Sequence, residues 1–241
     1  MRLQLTKHHG LGNDFLVALD QRVDGGTARA LCDRHTGVGA DGLIAATRDP
    51  LTMVLYNADG GRAEMSGNGI RCLAQAVVDA GWAAEGDVKI ATDAGIKVVQ
   101  VGPERAPGLR QVSVDMGPAV GEDMGGRPRR ARVRVGNPHE VWLTGDVGSV
   151  RREDRPPSVN EEYIAPGPEP DAITMRVWER GVGETLACGT GACAAAWAAH
   201  EWGLVGTTVT VHQLGGDAIV ELKPETIILT GPTQLIAKVD V

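Results

Sequence analysis

Two stretches of this 241-residue chain set a residue able to exchange a proton directly before a glycine-rich turn and an apolar run. In "EMSGNGIRC" (64–72) that residue is Ser66, and in "LACGTGAC" (186–193) it is Cys188. A helix start presents unpaired N–H groups and a partial positive charge, so two such starts can receive one carboxylate between them. The same field favours a deprotonated side chain at the cap and can draw a cysteine pKa from about 8.5 toward 7 or below. Two acid/base groups on opposite faces of an α-carbon are what a racemase or epimerase needs. One removes the α-proton, the other returns a proton to the far face, and the N–H groups stabilise the enolate-like charge. Taken alone, Ser66 is a plain N-cap and Cys188 a small buried hydrophobe; their recurrence at matched places favours chemistry. Neither turn is followed by the Lys-Ser/Thr pair of a phosphate-binding loop.

The elements around these turns are written twice. With Ser66 set on Cys188, an offset of 122 (66 to 188), "SGNGIRCLAQAVVDAGW" falls on "CGTGACAAAWAAHEWGL" without a gap. Upstream, "GNDFLVALD" (12–20) resembles "GNPHEVWLTGD" (136–146). Gly67–Ala80 and Gly189–Trp202 lack proline, stop at Gly81 and Gly203, and predict two buried helices. "TARALCDRHTG" (27–37) predicts a shorter one. Around them "LQLTKHHG", "FLVALD", "LTMVLY", "DVKIATD", "IKVVQV" and "QVSVDMG", then "ARVRVG", "EVWLTG", "ITMRVWE", "TTVTVHQ", "AIVELK" and "IILTG", predict strands. The expected class is α/β in the α+β sense. It comprises two pseudo-symmetric halves, 1–115 and 116–230, with a closing strand in 231–241, "TQLIAKVDV", that returns to the first. The Gly/Pro-dense 115–130 stretch is read as the boundary and 152–171 as a loop within the second half.

Composition narrows the function. A formal charge of −7 and the lack of a long Lys/Arg stripe argue against a nucleic-acid partner. The basic cluster "RPRRARVR" (127–134) reads as a solvated strand edge or loop. The first twenty residues lack the unbroken apolar core of a signal peptide and no apolar run approaches a membrane span, so a cytoplasmic location is expected. Four cysteines make no disulfide framework, and Cys188 with Cys193 lack the paired spacing of a zinc site. No metal is expected.

The motifs "HGLGNDF", "DRHTGVGADG", "YNADG", "EMSGNGIRC", "GNPH" and "VWERGVGETLACGTGA" resemble those of the diaminopimelate epimerases, in order and over the full length. The resemblance implies two curved, mostly antiparallel sheets or barrels, each around a central helix, with the site in the cleft between them. It implies cofactor-independent epimerisation of LL- to meso-diaminopimelate, a small-molecule amino-acid substrate, and compatibility with a homodimer. By motif, Cys188 is one acid/base thiol, Ser66 occupies the place of the other, and His139 and Glu179 assist them. Gly67, Asn68, Gly189 and Thr190 supply backbone N–H groups to the reacting carboxylate. Asn13, Asn57, Asn137, Asn160, Glu179 and Arg180 hold the distal amino-acid end, with Arg180 read as a buried cation facing the second carboxylate. Cys72 and Cys193 are read as packing.

The chain departs from the family pattern at two positions. Gly42 stands where some relatives carry a ligand-contacting glutamine, and Ser66 stands where the motif has cysteine. A hydroxyl is a far weaker acid than a thiol, and three explanations for Ser66 stay open. It is a substitution that traps substrate in a cysteine enzyme, or a natural variant whose hydroxyl His139 activates in a proline-racemase-like way. The third is a lyase-type or catalytically impaired binder that needs one base.

Overall fold

The computed structural model describes residues 2–125, 129–151 and 157–241. These form two compact units, one of Met1–Val114 with Gly231–Val241 and one of Asp115–Thr230.

The first unit begins with strands β1 (Gln4–Gly10) and β2 (Asn13–Leu19), an antiparallel hairpin. Its two-residue turn, Leu11-Gly12, has φ of 56° and 83°, the left-handed pair that matches the twist of a tight hairpin. Helix α1 (Gly25–Cys32) then crosses to β3 (Gly42–Arg48), which lies parallel to β2 and antiparallel to β4 (Leu51–Asn57). After the short β5 (Arg62–Ala63), helix α2 (Gly67–Asp79) leads to β6 (Gly86–Thr92), parallel to β4. Strands β7 (Gly95–Ala106) and β8 (Leu109–Gly117) follow antiparallel. The final strand β17 (Ile227–Asp240) pairs with both β8 and β1, so β17, β1, β2, β3, β4, β6, β7 and β8 close into a barrel.

Helix α2 is buried from Gly67 through Val77 and touches β1, β2, β3, β4 and β7. The helix is buried on every side, its polar Asn68, Arg71 and Gln75 included, as a helix inside a closed sheet must be. One buried cluster, Leu5, Leu16, Ala18 and Leu43 with Ala28 and Cys32 of α1, lies on another side of the sheet and seats that crossover helix.

The second unit repeats the order. Strands β9 (Val120–Gly125), β10 (Arg130–Val135) and β11 (Asn137–Leu143) are antiparallel neighbours, and β12 (Asn160–Pro166) lies parallel to β11. Next come β13 (Ala172–Glu179), the short β14 (Gly183–Thr185) and helix α3 (Gly189–Glu201). Strand β15 (Thr208–Gln213) is parallel to β13, and β16 (Gly216–Leu222) joins it to the start of β17. The sequence of antiparallel and parallel pairings from β1 to β7 recurs from β10 to β16, with α3 in the place of α2. Alanine fills much of α3, and Ala192, Ala194, Ala195, Ala196, Ala198 and Ala199 are buried, so the sheet closes on the helix at short range.

Both central helices stop alike. Gly81 and Gly203 have φ of 70° and 71°, and the next N–H groups, of Trp82 and Leu204, bond back to Val77 and Ala199.

Several expectations are corrected. The short helix lies at Gly25–Cys32 and not at 27–37, because Asp24 caps Thr27 N–H and Asp33 turns its carboxylate onto the N–H groups of His35 and Thr36. Residues 160–166, read as loop, form β12, and "GLIAATR" forms the unpredicted β3; both are inner strands, held by partners on two sides. Val120–Gly125, within the stretch read as a boundary, is a strand of the second unit. "IILTG" and "TQLIAKVDV" form one strand. Residues 127–128 of the basic cluster and 152–156 of the loop lie outside the described residues. Arg130, Arg132 and Arg134 each meet a carboxylate, of Asp123, Glu140 and Glu122 respectively. No described helix is long and apolar enough to cross a membrane.

Candidate active site

In the first unit Ser66 is the N-cap of α2, with extended backbone, and its Oγ accepts the Gly69 N–H at 3.0 Å. The first intrahelical bond runs from Ile70 N–H to Ser66 C=O, so Gly67 and Asn68 stand in the first turn, ahead of the intrahelical ladder. Asn68 is fixed through its side chain. Its Oδ1 accepts from Arg71 Nη2 at 2.6 Å and its Nδ2 donates to Asn13 Oδ1 at 3.2 Å. Asn13 in turn donates to Asp41 Oδ2 at 2.7 Å, and Arg34 bridges Asp41 to Asp14. Burial pushes the Asp14 carboxyl up, but bonds from Arg34 and Lys7 outweigh it and hold it below the ordinary 3.8. Arg71 is fully buried and also donates to the carbonyls of Gly67 and Pro232. Asn57, at the end of β4 and exposed, lies two strands from Asn13.

Arg71 was not among the expected site residues. Its signal was a charged residue in the first turn of a helix otherwise read as wholly buried.

The second unit brings more of the expected set together. Cys188 is the N-cap of α3, its Sγ accepts the Gly191 N–H at 3.4 Å, and Thr190 Oγ1 lies 3.5 Å away. The first intrahelical bond is Ala192 N–H to Cys188 C=O, which sets Gly189 and Thr190 in the first turn as Gly67 and Asn68 are in α2. Glu179, half-buried at the end of β13, acts electrostatically on the Cys188 thiol and accepts from Thr185 Oγ1 at 2.6 Å. His139 of β11 is buried, with Nδ1 2.7 Å from Oε1 of the equally buried Glu162. Asn137 is half-buried two residues before His139. Asn160, register partner of His139, accepts the backbone N–H of Arg180 at 2.9 Å and so pins the turn after β13.

Two expectations about this cluster are overturned. Burial pushes the Cys188 thiol well above its ordinary 9.0, and the carboxylates of Glu179 and Glu162 push it further; Thr190 and the Gly191 N–H oppose them and lose. Cys188 is therefore a thiol at rest. Burial also raises the Glu179 carboxyl above its ordinary 4.5, with Glu162 adding to the rise. The second correction concerns Arg180, which is exposed, because it sits at the tip of the β13–β14 turn where Val182 N–H closes back on Glu179 C=O.

Glu162 escaped the sequence reading. It stands two residues after Asn160 in "NEEY", a stretch read as loop, and nothing local to it points at His139. Cys72 and Cys193 are fully buried in helix faces away from the caps, and burial raises Cys72 to about 12. Among the described residues no group of His, Cys, Asp and Glu is arranged to hold a metal ion.

A closed sheet around α2, with a second unit that repeats its order of strand pairings around α3, makes a fold found in several solved structures. A phenazine biosynthesis protein of the PhzF family from Bacillus anthracis matches with a TM-score of 0.81 at 14% identity, over 100% of this chain and 99% of that one. A hydroxyproline epimerase from Agrobacterium vitis matches with a TM-score of 0.74 at 15% identity, over 100% and 92%. Within that fold the sequence is specific. The model of the diaminopimelate epimerase family matches residues 5–121 and 132–236, and the chain belongs to that family. The diaminopimelate epimerases of Pelotomaculum thermopropionicum and Synechococcus elongatus are 36% and 37% identical to it, over 96% of this chain in each case and 96% and 95% of theirs. It is an isomerase of the epimerase type, from a family of lysine biosynthesis.

Proposed function

We propose that the chain interconverts LL- and meso-diaminopimelate without a cofactor, by proton transfer at one α-carbon, as a step toward lysine and peptidoglycan precursors. The observation that carries this reading is the buried Cys188 thiol, held at the α3 N-terminus within electrostatic reach of the Glu179 carboxyl. The thiol donates its proton to the substrate carbanion. In the opposite direction Glu179 takes the thiol proton, and the thiolate, made strongly basic by the same burial, removes the α-proton. The N–H groups of Gly189 and Thr190 receive the reacting carboxylate and stabilise charge as it develops there. Ser66, with Gly67 and Asn68, serves the other face, and Asn13, Asn57, Asn137, Asn160 and Arg180 hold the distal amino-acid end. A cytoplasmic location and a homodimer are proposed on the family alone.

A second reading has its own observation. In the first unit the places that match His139 and Glu162 are held by Phe15 and Ile44, so that unit supplies no such pair beside its cap. A hydroxyl without a base supports one-sided exchange, in which Cys188 works and Ser66 does not.

Incubation in D2O with LL- and meso-diaminopimelate separately decides between them. Net interconversion with deuterium at the α-carbon supports the epimerase. Deuterium entering one stereoisomer with its configuration retained supports the one-sided reading. Neither exchange nor interconversion sinks both, and release of ammonia or water marks a lyase.

A further inference from the structure

We propose that Glu162 is a positioning residue for the second unit's acid/base centre: it holds His139 in the tautomer with Nδ1 protonated and Nε2 presented as a free acceptor. The inference rests on the epimerase reading for its catalytic consequence, and on the geometry of the second unit for the tautomer.

His139 and Glu162 come from parallel neighbours, β11 and β12, where His139 pairs with Asn160 and Val141 with Glu162. Two residues apart in register, they fall on the same inner face. The Nδ1 to Oε1 distance is 2.7 Å, and the two residues are 1% and 0% exposed. His139 Nε2 is buried and makes no hydrogen bond among the described residues. Glu162 also lies against the first turn of α3. A Cβ on Gly191 would stand 2.5 Å from its Oε1, so glycine is required there for the carboxylate to approach. A carboxylate oxygen accepts, so the 2.7 Å contact places the His139 proton on Nδ1.

The first unit shows that the pair is not needed to build this fold. Its β2 and β3 repeat the parallel register, with Phe15 opposite Gly42 and Val17 opposite Ile44, so Phe15 matches His139 and Ile44 matches Glu162. Ile44 Cδ1 lies 3.4 Å from a Cβ built on Gly69, the counterpart of Gly191. Two apolar residues therefore seat the same strands on the same helix turn. A buried ion pair is often no more stabilising than packed apolar residues, so the polar pair calls for a reason outside stability. The Ser-His-Asp triad uses a buried carboxylate in this manner, and converting that carboxylate to its amide lowers kcat about 10^4-fold through the wrong tautomer.

The test pairs a spectroscopic readout with a kinetic one on the intact chain. Long-range nitrogen–proton correlation on the wild type should give His139 one pyrrole-like Nδ1 and one pyridine-like Nε2. In Glu162→Ile, the residue type of the first unit, that single tautomer should be lost. Diaminopimelate α-deuterium exchange should fall at least roughly 10^2-fold in kcat with KM within about twofold, and the melting temperature should fall because the His139 Nδ1–H loses its buried acceptor. Glu162→Gln serves if Glu162→Ile does not fold, with the same loss expected; Glu162→Asp should recover part of the rate. A wild-type His139 protonated on Nε2, or wild-type exchange in Glu162→Ile or Glu162→Gln, overturns the proposal. Wild-type protein that exchanges nothing overturns the epimerase reading instead, and the tautomer then decides the role of Glu162 by itself.

Discussion

Ser66 closes the first turn of α2 by accepting the Gly69 N–H on its Oγ at 3.0 Å. Cys188 makes the same bond to Gly191 at the matching place in α3. The geometry of the cap thus tolerates either residue, and the difference lies in acidity. Ser66→Cys is expected to raise the rate of interconversion of LL- and meso-diaminopimelate by about 10^2-fold or more, as followed by stereochemical assay. Ser66→Ala should cost about 1 kcal/mol of stability through the lost cap, read from urea unfolding. An unchanged rate in Ser66→Cys would remove this position from the chemistry.

Glu179 and Cys188 predict the shape of the pH profile. Below the raised pKa of Glu179 the base is protonated, and above the raised pKa of Cys188 the acid is lost. Exchange on the Cys188 face should therefore be bell-shaped, with the acid limb above 4.5 and the alkaline limb above 9.0, the ordinary values of the two groups. Glu179→Gln should abolish the acid limb and lower the plateau about 10^2-fold or more. A rate that keeps climbing to the alkaline end of the profile would mean that the thiolate is the working form at rest.

His8 ties the first unit's stability to pH. Burial lowers it from 6.5 to about 4, with the nearby Gln75 side chain opposing and His9 adding to the fall. The unfolded chain takes up this proton first, so stability is full above pH 6.5 and is lost as pH falls toward 4. The loss amounts to about 3 kcal/mol below that window. His8→Leu, which puts an apolar residue where β10 carries Val133, should flatten that part of the curve. Urea titrations of both proteins at pH 7 and pH 4.5 would show parallel losses if His8 is not responsible.

Gly121 sets how closely β9 approaches α3. A Cβ there would lie 2.4 Å from the Trp197 ring. Gly121→Ala should cost about 1–3 kcal/mol by overpacking, visible as a lower denaturant midpoint. Trp197→Ala in the same background should offset part of the loss, and a double mutant merely additive would show that the two sites do not interact.

The repeat, both central helices and their glycine stops were legible in the chain because each depends on neighbours within a turn or two. So was the place of the caps: Ser66 and Cys188 head their helices by virtue of the glycines that follow them. Inner strands were harder. Charge and proline around β12 suggest a loop, and its strand state comes from β11 and β13 on either side. β3 has an apolar "GLI" core, but seven residues with two alanines carry a weak local strand signal.

The sequence by itself determined where the proton-exchanging residues stand and which family they belong to, since motifs and helix caps are local patterns of residue type and spacing. Tertiary structure alone decided what those residues are at rest. Cys188 is driven toward thiol by burial and by two carboxylates from β12 and β13, against the helix end that the sequence suggested would win. It also decided that His139 meets Glu162, twenty-three positions away, while Phe15 and Ile44 meet in the other half. Desolvation and charge pairing depend on which strands lie side by side, and that is a property of the folded sheet.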